Sequence, residues 1–126
     1  MDERVEKVLK EANQALDDAD FLLAGERTQA TVNRAYYCVF HCMQAMLQME
    51  NIQAKTHQGT LRKFNELFIK TEKLPTESAK MITNLSVLRN IADYDYQAVP
   101  SLEEAQEAVN DAAEFLALIE NYFSTE

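Results

Sequence analysis

The sequence predicts an all-α protein, an up-and-down bundle of five helices. Three observations carry this. Apolar residues recur at the 3.6-residue period in five successive segments. The 126 residues include only two glycines and two prolines, so few positions interrupt a helix. No alternating strand pattern competes with the helical one.

The first segment runs from about Asp2 to Leu23. Val5, Val8, Leu9, Ala12, Ala15, Leu16, Ala19 and Leu23 share one face. Gly25 follows, where a left-handed residue commonly ends a helix. The second runs from about Gln29 to Met49, with Val32, Ala35, Tyr36, Val39, Phe40, Met43, Met46 and Leu47 as its stripe. Tyr37, Cys38, Cys42 and Met49 are apolar or aromatic beyond that stripe. Such a helix is either central in its bundle or faces another subunit, and a homodimer is the expectation. The third runs from about Thr56 to Thr71, with His57, Leu61, Phe64 and Phe68 in register. Pro75 suits the first turn of the fourth, which turns Ser78, Met81, Ile82, Leu85, Leu88 and Ala92 inward. Ser101 and Glu104 form a capping box ahead of the fifth. Its stripe is Ala105, Ala108, Val109, Ala112, Leu116, Ile119 and Phe123.

The length fits one domain over 1–126. No apolar run approaches a membrane span. Met1-Asp2-Glu3-Arg4 leads straight into an amphipathic pattern rather than a signal peptide, so the cytoplasm is the expected location. The net charge of −9 is unevenly spread. Residues 33–89 hold eight bases and four acids, whereas residues 90–126 hold nine acids and no base. General attraction of the whole chain to nucleic acid is therefore not expected. A local basic patch remains open, as does a solvated basic face that balances the acidic ends.

Cys38, His41 and Cys42 do not make a metal site. Two thiols one turn apart on a single helix lack the three or four converging ligands a metal needs. They read as small buried residues, and no cofactor is implied. His57 reads as a structural residue at a helix start, because the sequence names no group to orient it as a base. The richest cluster is Arg89-Asn90-Ile91-Ala92-Asp93-Tyr94-Asp95-Tyr96. Arg89 and Asp93 stand four apart and can pair. Either they clamp the helix end under Tyr94 and Tyr96, or the forked guanidinium holds a phosphate with the tyrosines beside it.

Three stretches together resemble HEPN domains (higher eukaryote and prokaryote nucleotide-binding). Asn33-Arg34-Ala35-Tyr36-Tyr37-Cys38-Val39-Phe40-His41 is similar to the family's RAYYaxFH signature. Lys55-Thr56-His57-Gln58-Gly59 with Phe64 and Phe68 is similar to its tHxG…F…F segment. Arg89 to Tyr96 falls where the family carries Arg-x4–6-His, in a form close to Arg-x4-His-x-Tyr. The resemblance implies a helical bundle that dimerises, and in many members a metal-independent endoribonuclease whose arginine and histidine from two subunits share a cleft. It implies Arg89 as the motif arginine, Asn90 as its polar neighbour, and Tyr96 as the closing tyrosine. Tyr96 would then be the residue modified in pairs with a minimal nucleotidyltransferase. At the histidine position this chain has Tyr94.

A phenol with a pKa near ~10 is a poor proton acceptor at neutral pH, unlike an imidazole near ~6.5. The resemblance therefore implies a partner-dependent module, paired with a minimal nucleotidyltransferase in a toxin–antitoxin or regulatory pair. It would bind RNA or a nucleotide through Arg89, Asn90, Asp93, Tyr94 and Tyr96, with weak or no catalysis. The alternative is a ribonuclease with the degenerate motif Arg-x4-Tyr-x-Tyr, using Arg89 with Tyr94, or recruiting His57 or His41.

Overall fold

The computed structural model describes residues 2–95 and 97–125. Among them are five α-helices and no strand: α1 (Glu3–Ala24), α2 (Thr28–Met49), α3 (His57–Phe64), α4 (Thr76–Tyr94) and α5 (Leu102–Ser124). A π-helical turn, Asn65–Ile69, extends α3. No helix among the described residues is long and apolar enough to cross a membrane.

Three of the five helices, α1, α3 and α5, start at a side-chain cap. The Asp2 carboxylate accepts from the Arg4 amide at 2.8 Å and caps α1. Ser101 and Glu104 form the expected reciprocal box at 2.9 and 3.0 Å. Pro75 is the residue before α4 rather than its first turn. Between α1 and α2 the left-handed conformation falls on Glu26 (φ 58°), while Gly25 keeps a negative φ. The expected left-handed glycine is thus displaced by one residue. The short turn makes α1 and α2 antiparallel neighbours.

The start of α3 places His57. Thr56 accepts from the Gly59 amide at 2.9 Å, and a Cβ on Gly59 would stand 2.8 Å from that hydroxyl oxygen. Only glycine leaves the cap undisturbed. Thr56→Ala is expected to cost about 1 kcal/mol of stability, measurable as a fall in urea midpoint. An unchanged midpoint would show the cap to be unimportant.

Helix α2 is the centre of the bundle and touches all four other helices. Cys38 and Cys42, off its main stripe, are fully buried within the protomer. That accounts for the two cysteines without a second subunit, while Tyr37 and Met49 are only half-buried. Phe64, Phe68 and Phe115 form an aromatic core, with ring centroids 5.5 and 5.9 Å apart for the Phe64–Phe68 and Phe64–Phe115 pairs. Leu88 and Phe123, expected inward, are only half-buried, whereas Phe115 is fully buried.

Candidate functional site

The packing of α2, α3 and α4 brings Arg89 and His57 to one cleft of about 320 Å³. Helix α2 contributes Tyr36 and Met43. Helix α3 contributes His57, Gln58 and Leu61, and α4 contributes Ser86, Arg89 and Asn90. No carboxylate is among these lining residues. The volume is several times the ~30 Å³ that a water occupies in the liquid, so a phosphate group fits.

Arg89 is anchored on the side away from the cleft. Its Nε lies 2.8 Å from Asp93 Oδ2, an ion pair whose N–H is not aligned as a hydrogen bond. Its guanidinium carbon stands 5.0 Å from the Tyr36 ring centroid and 5.9 Å from those of Tyr37 and Tyr94. Cation–ring contacts of this kind hold a guanidinium without using its N–H donors. The side chain keeps 15% of its surface exposed. Among the described residues, no hydrogen bond uses its two Nη groups. The guanidinium is therefore fixed at its inner end, with donors left at the cleft.

His57 opens α3, held by the Thr56 cap. Its ring packs 4.4 Å from the centroid of Phe40, and its Nδ1 lies 3.5 Å from the Tyr36 hydroxyl. Burial first, then the positive charge of Arg89, hold its imidazole below the ordinary histidine value. Tyr36 is pushed up by burial, with Arg89 opposing that shift and Tyr37 adding to it. His41 is also lowered, mainly by burial, but it does not line the cleft.

A depressed imidazole means that the unfolded chain takes up protons first. Stability is fully present above the ordinary histidine pKa and is lost as pH falls from there toward the folded value. The thermal midpoint should therefore fall as the pH drops below the ordinary histidine value of about 6.5, and His57→Gln should flatten part of that fall. An identical pH dependence in wild type and His57→Gln would contradict the assignment.

The other residues expected at the site divide. Asn90 lines the cleft beside Arg89 and is exposed. Asp93 lies on the far side and lines a separate cavity. Tyr94 is 72% exposed, with its ring flanking the guanidinium. Tyr96 lies outside the described residues. Cys38 and Cys42 are buried, and burial together with the neighbouring Cys38 raises the Cys42 thiol well above its ordinary value. Among the described residues, no three His, Cys, Asp or Glu side chains gather as a metal site. Sequence reasoning missed Tyr36 and Ser86 as lining groups, and it left His57 without a partner. The available signal was that RAYY and tHxG each carry a polar aromatic residue on an inward stripe.

The HEPN domain family matches residues 5–122. The chain belongs to the HEPN family. Among its relatives is the "Putative toxin MJ0142" of Methanocaldococcus jannaschii, 32% identical over 118 residues, which span 94% of this chain and 80% of that protein. A UPF0332 protein of Thermotoga maritima is 33% identical over 111 residues, spanning 88% and 84%. The crystal structure of ST0689, an archaeal HEPN homologue, superposes with a TM-score of 0.66 at 19% identity, covering 96% of this chain and 98% of the other. The HEPN fold predicted from the three sequence stretches is thereby established.

Proposed function

We propose that this HEPN protein is a toxin-type or regulatory module. Its Arg89 cleft binds a phosphate of RNA or of a nucleotide, with little or no cleavage of its own. One observation carries the reading: a guanidinium anchored from behind by Asp93 lines a cleft without a carboxylate. Fixed, forked N–H donors in such a place suit a phosphate oxygen pair. The "putative toxin" names of two Methanocaldococcus jannaschii relatives support the toxin or regulatory role.

The partner belongs to the same reading. Residues 90–126 carry nine acids and no base, which suits a basic protein surface better than it suits RNA. We take a minimal nucleotidyltransferase as that partner, and Tyr96 as the hydroxyl it would modify. Two copies of this chain would set their Arg89 clefts side by side as a homodimer.

The second reading, a metal-independent endoribonuclease, is favoured by one observation: His57 lines the cleft with Arg89. A neutral imidazole can take a proton where Tyr94 cannot. Incubation with a single-stranded RNA at pH 7, in chelator, separates the two. The first reading expects binding without shortening of the RNA. Clean cleavage that is lost in both Arg89→Ala and His57→Gln would replace it with the second.

A further inference from the structure

We infer that the groove between α4 and α5 is a docking site for a basic amphipathic helix of a partner protein. The inference rests on the proposed basic partner, to which it gives a place, and it makes no use of the Arg89 cleft.

The groove, about 290 Å³, follows α4 from Asn84 to Ile91 and α5 from Glu104 to Asp111. Its wall on α4 is apolar. Val87 and Ile91 stand one turn apart and are 54% and 42% exposed, and Leu88 between them is half-buried. A lone exposed apolar residue needs no explanation, but two in register along one wall leave a strip of apolar surface in water. The strip exists because α4 is apolar on two sides. Leu85 and Ala92 are buried in the core, while Val87 and Ile91 lie outward. At about 100° per residue, these two stand roughly 160° from Arg89 around the helix axis. The groove and the Arg89 cleft therefore occupy opposite flanks of α4, and a ligand in one leaves the other open.

The wall on α5 is acidic. Glu104, Glu107 and Asp111 line it, and no lining residue is basic. Among the described residues, no ion pair engages any of the three. Burial first, then Glu114 and Glu107, hold the Asp111 carboxyl above its ordinary value, as happens where carboxylates crowd without a cation.

The two walls together specify the occupant. The α4 strip calls for apolar side chains one turn apart, and the α5 wall calls for cations beside them. A groove between two helices accepts the ridge of a third. A basic amphipathic helix presents both chemistries along one side. RNA or an anionic membrane would bring negative charge against the acidic wall. A second copy of this chain is poorly suited, because its basic helix α3 already buries Phe64 in its own core.

The test is fluorescence anisotropy with a labelled helical peptide of about 14 residues, roughly four turns, with leucine at every third or fourth position and lysine between. One control peptide carries glutamate for lysine, and another shuffles the same composition. The protein would be wild type, Val87→Gln, Ile91→Gln, Glu107→Lys and Arg89→Gln, each shown to be folded by its melting curve. Val87, Ile91 and Glu107 are exposed, so these changes spare the core. The lysine peptide is expected to bind the wild type, and both controls about tenfold or more weakly. Val87→Gln and Ile91→Gln should each weaken it about fivefold to tenfold. Glu107→Lys should weaken it about tenfold at low salt, with the loss shrinking as salt rises. Arg89→Gln should leave it unchanged. Oligonucleotide binding by the three groove variants should match wild type, so the Arg89 reading is judged separately. Peptide binding that none of the groove variants moves would overturn the groove and leave a basic partner elsewhere on the acidic third standing. A wild type that does not bind the lysine peptide would overturn the groove too. So would a dimer, seen by light scattering, that Val87→Gln and Glu107→Lys split into monomers, since the occupant would then be a second copy.

Discussion

Arg89→Glu is expected to lower affinity for a single-stranded oligonucleotide by at least about a hundredfold at low salt, about 3 kcal/mol. Two effects add. The variant loses charge-assisted hydrogen bonds to phosphate, worth roughly 1.5–3 kcal/mol. It also sets a carboxylate against the anion, and a like-charge contact at 4 Å costs about 4 kcal/mol at an effective dielectric of 20 before salt screening. Arg89→Ala removes only the first effect, so about tenfold to a hundredfold is expected. Arg89→Lys should fall between wild type and alanine, because it keeps the charge but loses the fork. The fold should survive all three. The Arg89 and Asp93 side chains keep only 15% and 21% of their surface exposed, so each variant should also lower the melting temperature, most of all Arg89→Glu, which sets a carboxylate beside Asp93. A graded series Lys, Ala, Glu in binding, larger than the accompanying loss of stability accounts for, is the expected pattern. Equal affinities across the series would remove Arg89 from the site.

Phe115→Ala should be among the most damaging single changes to stability, at about 3–5 kcal/mol. Phe115 is fully buried and joins α5 to α3 through its contact with Phe64. Truncation opens a cavity between helices that the neighbouring rings cannot refill without leaving their own packing. Against a total of about 5–15 kcal/mol, that is a large share. The melting temperature should fall by roughly 10–20 °C. A fall of only about 2–3 °C would mean that α5 packs more loosely than its burial indicates.

The helices were legible because their cause is local. The period of Val5, Leu9 and Ala12 in α1, or of Ser101 with Glu104 at the start of α5, is written in neighbouring residues. Phe115 was not legible. It lies beside the Leu116 stripe, and it is buried because α5 packs over a wider arc than one stripe covers, which brings it against Phe64 of α3. The π-helical turn was equally hidden, since Leu61, Phe64 and Phe68 keep spacings that an unbroken α-helix also satisfies.

The site was half legible for the same reason. Arg89 and Asp93 announce themselves by their spacing of four, and the structure pairs them. That His57 faces Arg89 across Tyr36 depends on how α2, α3 and α4 pack, and no spacing within one helix encodes it. Nor does the primary structure reveal that the Arg34 and Arg89 guanidinium carbons stand 5.0 and 5.9 Å from the Tyr37 ring centroid.

On the proposed function, the Arg89 guanidinium meets a phosphate in the cleft it shares with His57. The most direct measurement is nuclear magnetic resonance of the arginine Nε–Hε and histidine ring signals during titration with a phosphorylated oligouridylate. The Arg89 Nε–Hε and His57 ring signals should shift together and saturably, and the His41 ring signals should stay in place. Saturable binding that moves other surface signals while those of Arg89 and His57 do not respond would place the phosphate elsewhere on the protein.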